Sequence, residues 1–305
     1  MHADGRSHEG CYNTQMSRIW INGEFVESSE AKVSVYDHGL LYGDGCFEGI
    51  RIYNGKIFKL RSHLQRMFES AEAIRLQPGY SIDELEEIVR ETVKVNDQTD
   101  GYIRLVFTRG TGTLGLNPFL CPKATVFCIV ETIKLYPKEM YEDGMSIVVA
   151  KRPRMHQDCL DPQVKSLNYL NNILAKIEAI DAGVLEALML NCSGEVSECT
   201  GDNIFIIKDG KISTPPVSAG ILNGITRKFV IEDVAPELGY IIHERTITLE
   251  EVLVADEVFL TGTAAEVIGV SHIGDKVMGT GKVGPITSAL ESEFRNRVSK
   301  NAPED

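Results

Sequence analysis

Two short stretches near the start of the chain alternate apolar and polar residues around an Asn-Gly pair, and each reads as a β-hairpin. Residues 19–21 and 25–26 flank Asn22-Gly23, and residues 49–53 and 56–60 flank Asn54-Gly55. Asn-Gly reaches the left-handed backbone that a two-residue turn requires. The period then lengthens. Leu64, Met67, Ala71 and Ile74 recur at helical spacing and predict a helix over 63–74. Ser81, followed by Asp83 and Glu84, caps and charges the start of a second helix. Residues 102–108 and 124–131 predict further strands of the same sheet.

Beyond the polar, proline-broken stretch 135–140 the pattern starts afresh. It predicts strands at 145–150, 187–190, 203–208, 211–213, 240–245 and 257–261, and helices at 168–182, 226–238, 249–253 and 285–298. Hairpins mixed with βα units imply an α+β fold in two domains. A smaller unit spans 16–134, a linker 135–140 and a larger unit 141–300, with a ligand site expected between them. Residues 1–15 are polar and rich in His, Gly and Ser, without the apolar segment of a secretory signal, so they read as a disordered extension.

Composition narrows the classes. The chain has 305 residues, 43% of them apolar, enough for full cores, and a net charge of -13. That charge argues against nucleic acid or an anionic membrane as partner, since both need a basic face. No apolar run approaches the roughly 18 residues that span a bilayer. Seven scattered cysteines, never spaced C-x-x-C, suggest neither a disulfide framework nor zinc, so a reducing cytoplasm is the simplest compartment. The seven histidines form no i, i+4 pair, and no metal site is expected. Gly110-Thr111-Gly112-Thr113-Leu114-Gly115 matches G-x-G-x-x-G formally, but Asn117-Pro118 and Cys121-Pro122 follow where a helix should, so it reads as a loop.

The most informative chemistry is Lys165, just before the helix at 168–182, with Glu198 following in Val196-Ser197-Glu198. A fixed amine can hold an aldehyde cofactor as a Schiff base, and a carboxylate across the ring can keep a pyridinium nitrogen charged. Pyridoxal phosphate needs both. Taken alone, each residue is more often a solvated surface charge, and the wider pattern decides. That pattern comprises Tyr42-Gly43-Asp44-Gly45-Cys46-Phe47-Glu48-Gly49-Ile50-Arg51, His63-Leu64-Gln65-Arg66, Tyr102-Ile103-Arg104 and Leu114-Gly115-Leu116-Asn117-Pro118. It continues with the lysine segment, Glu198-Cys199-Thr200-Gly201-Asp202-Asn203-Ile204-Phe205, Gly224-Ile225-Thr226-Arg227 and Thr261-Gly262-Thr263-Ala264-Ala265-Glu266.

In this order the motifs resemble those of the class IV aminotransferases, enzymes of fold type IV, and the branched-chain amino acid aminotransferases among them. The resemblance implies Lys165 as the catalytic residue. It implies Arg66, Tyr169, Glu198, Leu222, Gly224, Ile225, Thr226 and Thr263 as further contacts of pyridoxal 5'-phosphate. Ile225 and Thr226 stand at a helix start, where free backbone N–H groups attract phosphate. For substrate it implies Tyr42, Phe47, Gly49, Tyr102, Arg104, Leu116, Thr263 and Ala264, with Gly49 leaving space for a branched side chain. Tyr42 and Leu116 would serve the neighbouring active site of a homodimer or higher homo-oligomer. The implied reaction moves an amino group between leucine, isoleucine or valine and 2-oxoglutarate. A D-amino acid aminotransferase, an amine transaminase or an aminodeoxychorismate lyase are the alternatives. Thr108-Arg109-Gly110 keeps the first open, because D-amino acid enzymes use a similar arginine for the α-carboxylate.

Overall fold

The computed structural model describes residues 17–133 and 136–300, so the expected N-terminal extension and Leu135 of the expected linker lie outside the described residues. Strands β1 (Arg18–Ile21), β2 (Glu24–Glu27), β3 (Gly45–Tyr53), β4 (Lys56–Ile57), β5 (Gly101–Thr108) and β6 (Thr125–Glu131) form one antiparallel sheet in the order β2-β1-β6-β5-β3-β4. Helices α1 (His38–Tyr42), α2 (Leu60–Ala73) and α3 (Ile82–Val95) accompany it. Ser81 and Glu84 close a full capping box on α3.

Strand periodicity divides the work of this sheet. Cys46, Ile50, Ile52, Ile103, Leu105 and Phe107 are buried in one core with Leu64, Met67, Leu85 and Val89 from α2 and α3. Phe47, Tyr102, Arg104, Val106 and Thr108 alternate with them and line a cavity on the other face. One face therefore holds the unit together and the other is left for a ligand.

The second sheet contains β7 (Met145–Val149), β8 (Glu186–Leu190), β9 (Val196–Cys199), β10 (Asn203–Lys208), β11 (Lys211–Thr214), β12 (Ile242–Glu244), β13 (Glu257–Gly262), β14 (Glu266–Ile273) and β15 (Lys276–Val277). Its order is β12-β11-β10-β13-β14-β7-β8-β9, with β15 paired to β14. It is mixed, with parallel pairs β11/β12, β14/β7 and β7/β8. Helices α4 (Lys138–Asp143), α5 (Leu170–Asp181), α6 (Ile225–Phe229), α7 (Ala235–Glu237), α8 (Leu249–Leu253) and α9 (Pro285–Lys300) complete it. Phe58, just before α2, packs edge-on against Phe229 and Phe294, with ring centroids 5.1 and 6.1 Å away, so an aromatic cluster ties the two sheets' units together.

Several expected elements differ. The strand at 56–60 is only the two residues of β4, because α2 already begins at Leu60. The helix at 226–238 is α6, a π turn over Val230–Val234 and α7, where Pro236 removes a backbone donor. Helix α4 starts at Lys138, inside the stretch read as linker. β14 has no counterpart among the expected strands. It is buried along almost its whole length, so Gly269, Ser271 and His272 mask a strand that shows no alternation. None of the helices among the described residues is long and apolar enough to cross a membrane.

Candidate active site

Lys165 is placed by backbone pairing. Its carbonyl accepts from Phe47 N–H at 3.0 Å and Leu167 N–H donates to Gly45 C=O at 2.9 Å, so the lysine segment adds itself to the edge of β3. Ser70 Oγ on α2 accepts from Lys165 N–H at 3.1 Å. The side chain then lies between two rings, with Nζ 3.1 Å from Tyr169 Oη and 4.7 Å from the centre of Phe47.

Glu198 sits on β9 among donors. Its Oε1 accepts from Arg154 Nε and lies 3.0 Å from Nη2, while Oε2 accepts from Leu222 N–H at 3.0 Å and from Asn203 Nδ2 at 3.2 Å. Burial pushes this carboxyl up from its ordinary value, and Arg154 and the Leu222 N–H oppose the shift. An environment made only of donors suits a carboxylate that can accept one more N–H. Arg154 is itself fixed by Asn172, 3.2 Å from Nη1. Nothing in the sequence around Arg154 announced this role, which depends on a loop folding back over β9.

Lys165 and Glu198 line one cleft together with Arg66, Leu222, Gly224, Ile225, Thr226 and Thr263. The cleft thus assembles all the expected cofactor contacts except Tyr169, which lines the adjoining cavity. A Cβ at Gly224 would fall 2.2 Å from Asn203 Oδ1, so only glycine lets the α6 start approach this closely. The α6 N-terminus has no side-chain cap, which leaves first-turn N–H groups without an intrahelical partner. Thr261 adds a buried hydroxyl that has no hydrogen-bond partner among the described residues. Gly201, Asp202, Asn203 and Gly262 also line the cleft, residues of two motifs that were given no role from the sequence.

Arg66 is held by a buried carboxylate. Its Nε and Nη2 donate to the two oxygens of Glu48 at 2.7 and 2.8 Å, Nη1 donates to Asn223 C=O at 2.9 Å, and His63 Nδ1 lies 2.7 Å from Glu48. Three bonds leave donors of the guanidinium for the cleft. Burial alone would raise the Glu48 carboxyl, but Arg66 and His63 reverse this and hold it far below the usual carboxylate range.

The adjoining cavity, about 670 Å³, is lined by Val33, Leu40, Phe47, Tyr102, Arg104, Lys165 and Tyr169 among others. Arg104 packs its guanidinium 4.4 Å from the Phe47 ring centre and donates to Tyr102 Oη at 3.0 Å. The space expected at Gly49 for a branched substrate is taken by Tyr102, since a Cβ there would lie 1.9 Å from Tyr102 Oη. Tyr42 and Leu116, expected to serve a neighbouring subunit, stand outside the lining of this chain's own cavity, and Tyr42 Oη accepts from Gly115 N–H at 3.0 Å. Ala264 lies exposed in the turn between β13 and β14. Arg109 is sequestered. It grips Asp44 through Nε and Nη2, both at 2.9 Å, and donates to the carbonyls of Ile74 and Arg75.

Because the folded-state pKa of Glu48 is depressed, its contribution to stability is complete above the ordinary carboxylate range and lost as pH falls below about 4. Glu48→Gln is expected to cost about 3–5 kcal/mol at neutral pH, the cost of breaking a buried pair. Urea unfolding should show the gap from wild type narrowing at about pH 3. A gap of constant size would mean that the carboxylate charge is not what holds Arg66.

Residues 45–273 match the family model described as Amino-transferase class IV. The chain is 48% identical over 283 residues to the putative branched-chain-amino-acid aminotransferase of Methanocaldococcus jannaschii, covering 93% of this chain and 97% of that protein. It is 39% identical over 290 residues to the D-alanine aminotransferase of Staphylococcus haemolyticus, covering 94% and 100%. Its fold is similar to that of the branched-chain amino acid aminotransferase from T.th. with pyridoxamine 5'-phosphate, at a TM-score of 0.90 and 37% identity over 95% and 96% of the two chains. With these likenesses across nearly its whole length, and with a half-buried lysine and a buried carboxylate facing one cleft, the chain belongs to the class IV aminotransferases.

Proposed function

We propose that the protein is a branched-chain L-amino acid aminotransferase that exchanges an amino group between leucine, isoleucine or valine and 2-oxoglutarate, with pyridoxal 5'-phosphate as cofactor. The observation that carries the reading is the contrast between two arginines. Arg104 stands in a largely apolar cavity without a carboxylate partner among the described residues, where one pocket can take a branched side chain or the distal carboxylate of glutamate. Arg109, which a D-amino acid enzyme would need at the α-carboxylate, is committed to Asp44 and two carbonyls.

The residues present fit the cofactor. The orphaned Thr261 hydroxyl, the close approach that Gly224 allows and the donor-only surroundings of Glu198 describe a cleft built for an anionic, ring-shaped ligand. Arg66, Ile225, Thr226 and Thr263 would hold its phosphate, Glu198 its ring nitrogen and Tyr169 its ring oxygen. When bound, pyridoxal phosphate supplies an aldehyde for the amine and a protonated ring that draws electrons away from the reacting carbon. The chain's own contribution is positional. Lys165 Nζ carries the proton taken from the substrate α-carbon, and such positioned proton transfer contributes about 10²- to 10⁴-fold. The Tyr169 hydroxyl and the Phe47 ring fix where that amine points. Glu198, anchored by Arg154, keeps the ring nitrogen protonated.

The finer reading is a homodimer in a reducing cytoplasm, with residues 16–134 and 141–300 as its two domains. Leu40, Leu41, Tyr42, Leu114, Leu116 and Phe119 are exposed on α1 and the 110–120 loop, an apolar surface of the kind a partner copy covers. Cys46, Cys128 and Cys199 are buried free thiols, which supports the compartment. The limits of the two sheets support the division into domains.

Lys165→Ala is expected to fold and to bind the cofactor weakly through the phosphate contacts, but to lose transamination. Near-normal turnover in the reconstituted variant would remove Lys165 from its role. Glu198→Gln should bind cofactor yet react much more slowly, with Glu195→Gln, whose carboxylate accepts from the Asn191 side chain, as the control. A slow Glu195 variant beside a normal Glu198 variant would reverse the assignment. Arg104→Met should impair the glutamate half-reaction by about 1.5 to 3 kcal/mol, roughly 10- to 100-fold, and affect the leucine half-reaction much less. Single-turnover kinetics with each amino acid separates the two. Equal losses would place Arg104 at the shared α-carboxylate.

A further inference from the structure

One buried acid in the cleft has no part in the mechanism so far. Asp202 closes the turn between β9 and β10, where Cys199 N–H donates to its carbonyl at 2.8 Å. Asn203 pairs with Thr261 across β10 and β13, which sets Asp202 opposite Gly262. A Cβ at Gly262 would fall 1.8 Å from Asp202 Oδ1, so the glycine makes room for the carboxyl. The residue is buried and lines the cleft beside Lys165, Thr226 and Thr263.

The neighbours decide its protonation. Glu186 on β8 accepts from Ala187 N–H at 2.8 Å, from Thr200 N–H at 2.9 Å and from the Thr200 hydroxyl, with Lys176 of α5 3.8 Å away. No hydrogen bond or ion pair engages the Asp202 carboxyl among the described residues. Two neighbouring buried carboxyls do not both ionise readily, and the charge goes to the one that is solvated by donors. Asp202, which lacks such donors among the described residues, is the one that keeps its proton. Among the described residues, the remaining charged or titratable groups around Asp202 are Glu198, Lys165, Tyr136, Tyr141 and Cys199. Burial, then Glu186, pushes the Asp202 carboxyl up to about 8, against the opposing pull of Lys176.

We propose that Asp202 is a positioning residue that stays a neutral carboxylic acid and donates its proton as a hydrogen bond to an anionic oxygen of the ligand held in this cleft. The inference rests on the cleft being the cofactor site, and the anion is either the cofactor phosphate or the carboxylate of the substrate. A carboxylate at this position would repel either one. A carboxylic acid adds a donor to those of Ile225, Thr226, Thr263 and Arg66 without adding charge. Such a device fails as pH rises: ligand binding is full below the folded pKa of Asp202 and weakens about tenfold for each pH unit above it.

The test is calorimetric titration of the cofactor-free protein with pyridoxamine 5'-phosphate, which forms no covalent bond to Lys165, at about pH 7 and about pH 9. Wild type and Asp202→Asn are compared, because the amide is a permanently neutral donor of the same shape. Between the two pH values the wild-type dissociation constant should rise about tenfold more than that of the variant. If the excess instead appears only when the loaded protein is titrated with 4-methylpentanoate, the substrate carboxylate is the acceptor. Parallel pH profiles in both titrations overturn the inference alone. Failure of pyridoxamine phosphate to bind the wild type at either pH overturns the cofactor reading and this inference with it. Infrared spectroscopy of the wild type covers a variant that does not fold: a protonated carboxyl stretch at about pH 7 should shift when pyridoxamine phosphate is added, and its absence would equally overturn the assignment.

Discussion

The site depends on an unfilled edge of one strand. β3 runs from Gly45 to Tyr53, but its neighbour β4 is two residues long and pairs only with Ile52 and Tyr53. The first half of β3 therefore presents backbone donors and acceptors that would be buried without partners. The lysine segment fills that edge with the Phe47 to Lys165 and Leu167 to Gly45 hydrogen bonds and an isolated bridge between Cys46 and Ser166. A single backbone pairing thus satisfies the first sheet, joins it to the second and sets Lys165 over Phe47.

Side-chain alternation then allots each residue of β3 its task. Phe47 faces the cavity, and Glu48 turns into the core, where an isolated carboxylate would be very costly. His63 and Arg66 from α2 compensate it. The same ion pair that makes Glu48 tolerable in the core holds Arg66 at the cleft, so one set of contacts serves both the core and the cleft wall. Arg154 with Glu198, and Arg109 with Asp44, repeat the arrangement. Most charges near the site are matched within the protein. Arg104, with no carboxylate partner among the described residues, and Asp202, with no partner there for its carboxyl, are the unmatched groups.

Much of the chemistry was legible because it resides in residue types at set spacings along single segments. Lys165, Glu198 and Gly224-Ile225-Thr226 each belong to a short motif, and the cleft brings them together. The hairpin turns were legible for the same reason. Asn22 and Asn54 take φ of 51° and 50°, the left-handed backbone that their Asn-Gly pairs favour.

Arg154, Asn203, Asp202 and the use of Gly49 were not legible. Arg154 reaches Glu198 across 44 positions of sequence, and Gly49 is hemmed in only because β3 and β5 pair in a register that brings Tyr102 beside it. β14 is hidden in the sequence because burial along nearly its whole length erases the alternation that marks a strand. The sequence alone determined which functional groups are available and how each local segment bends, since both follow from covalent structure and nearest neighbours. The tertiary structure decided which arginine is engaged by a carboxylate, and which of two buried acids is surrounded by donors, because these depend on charges and donors that meet only when distant segments pack.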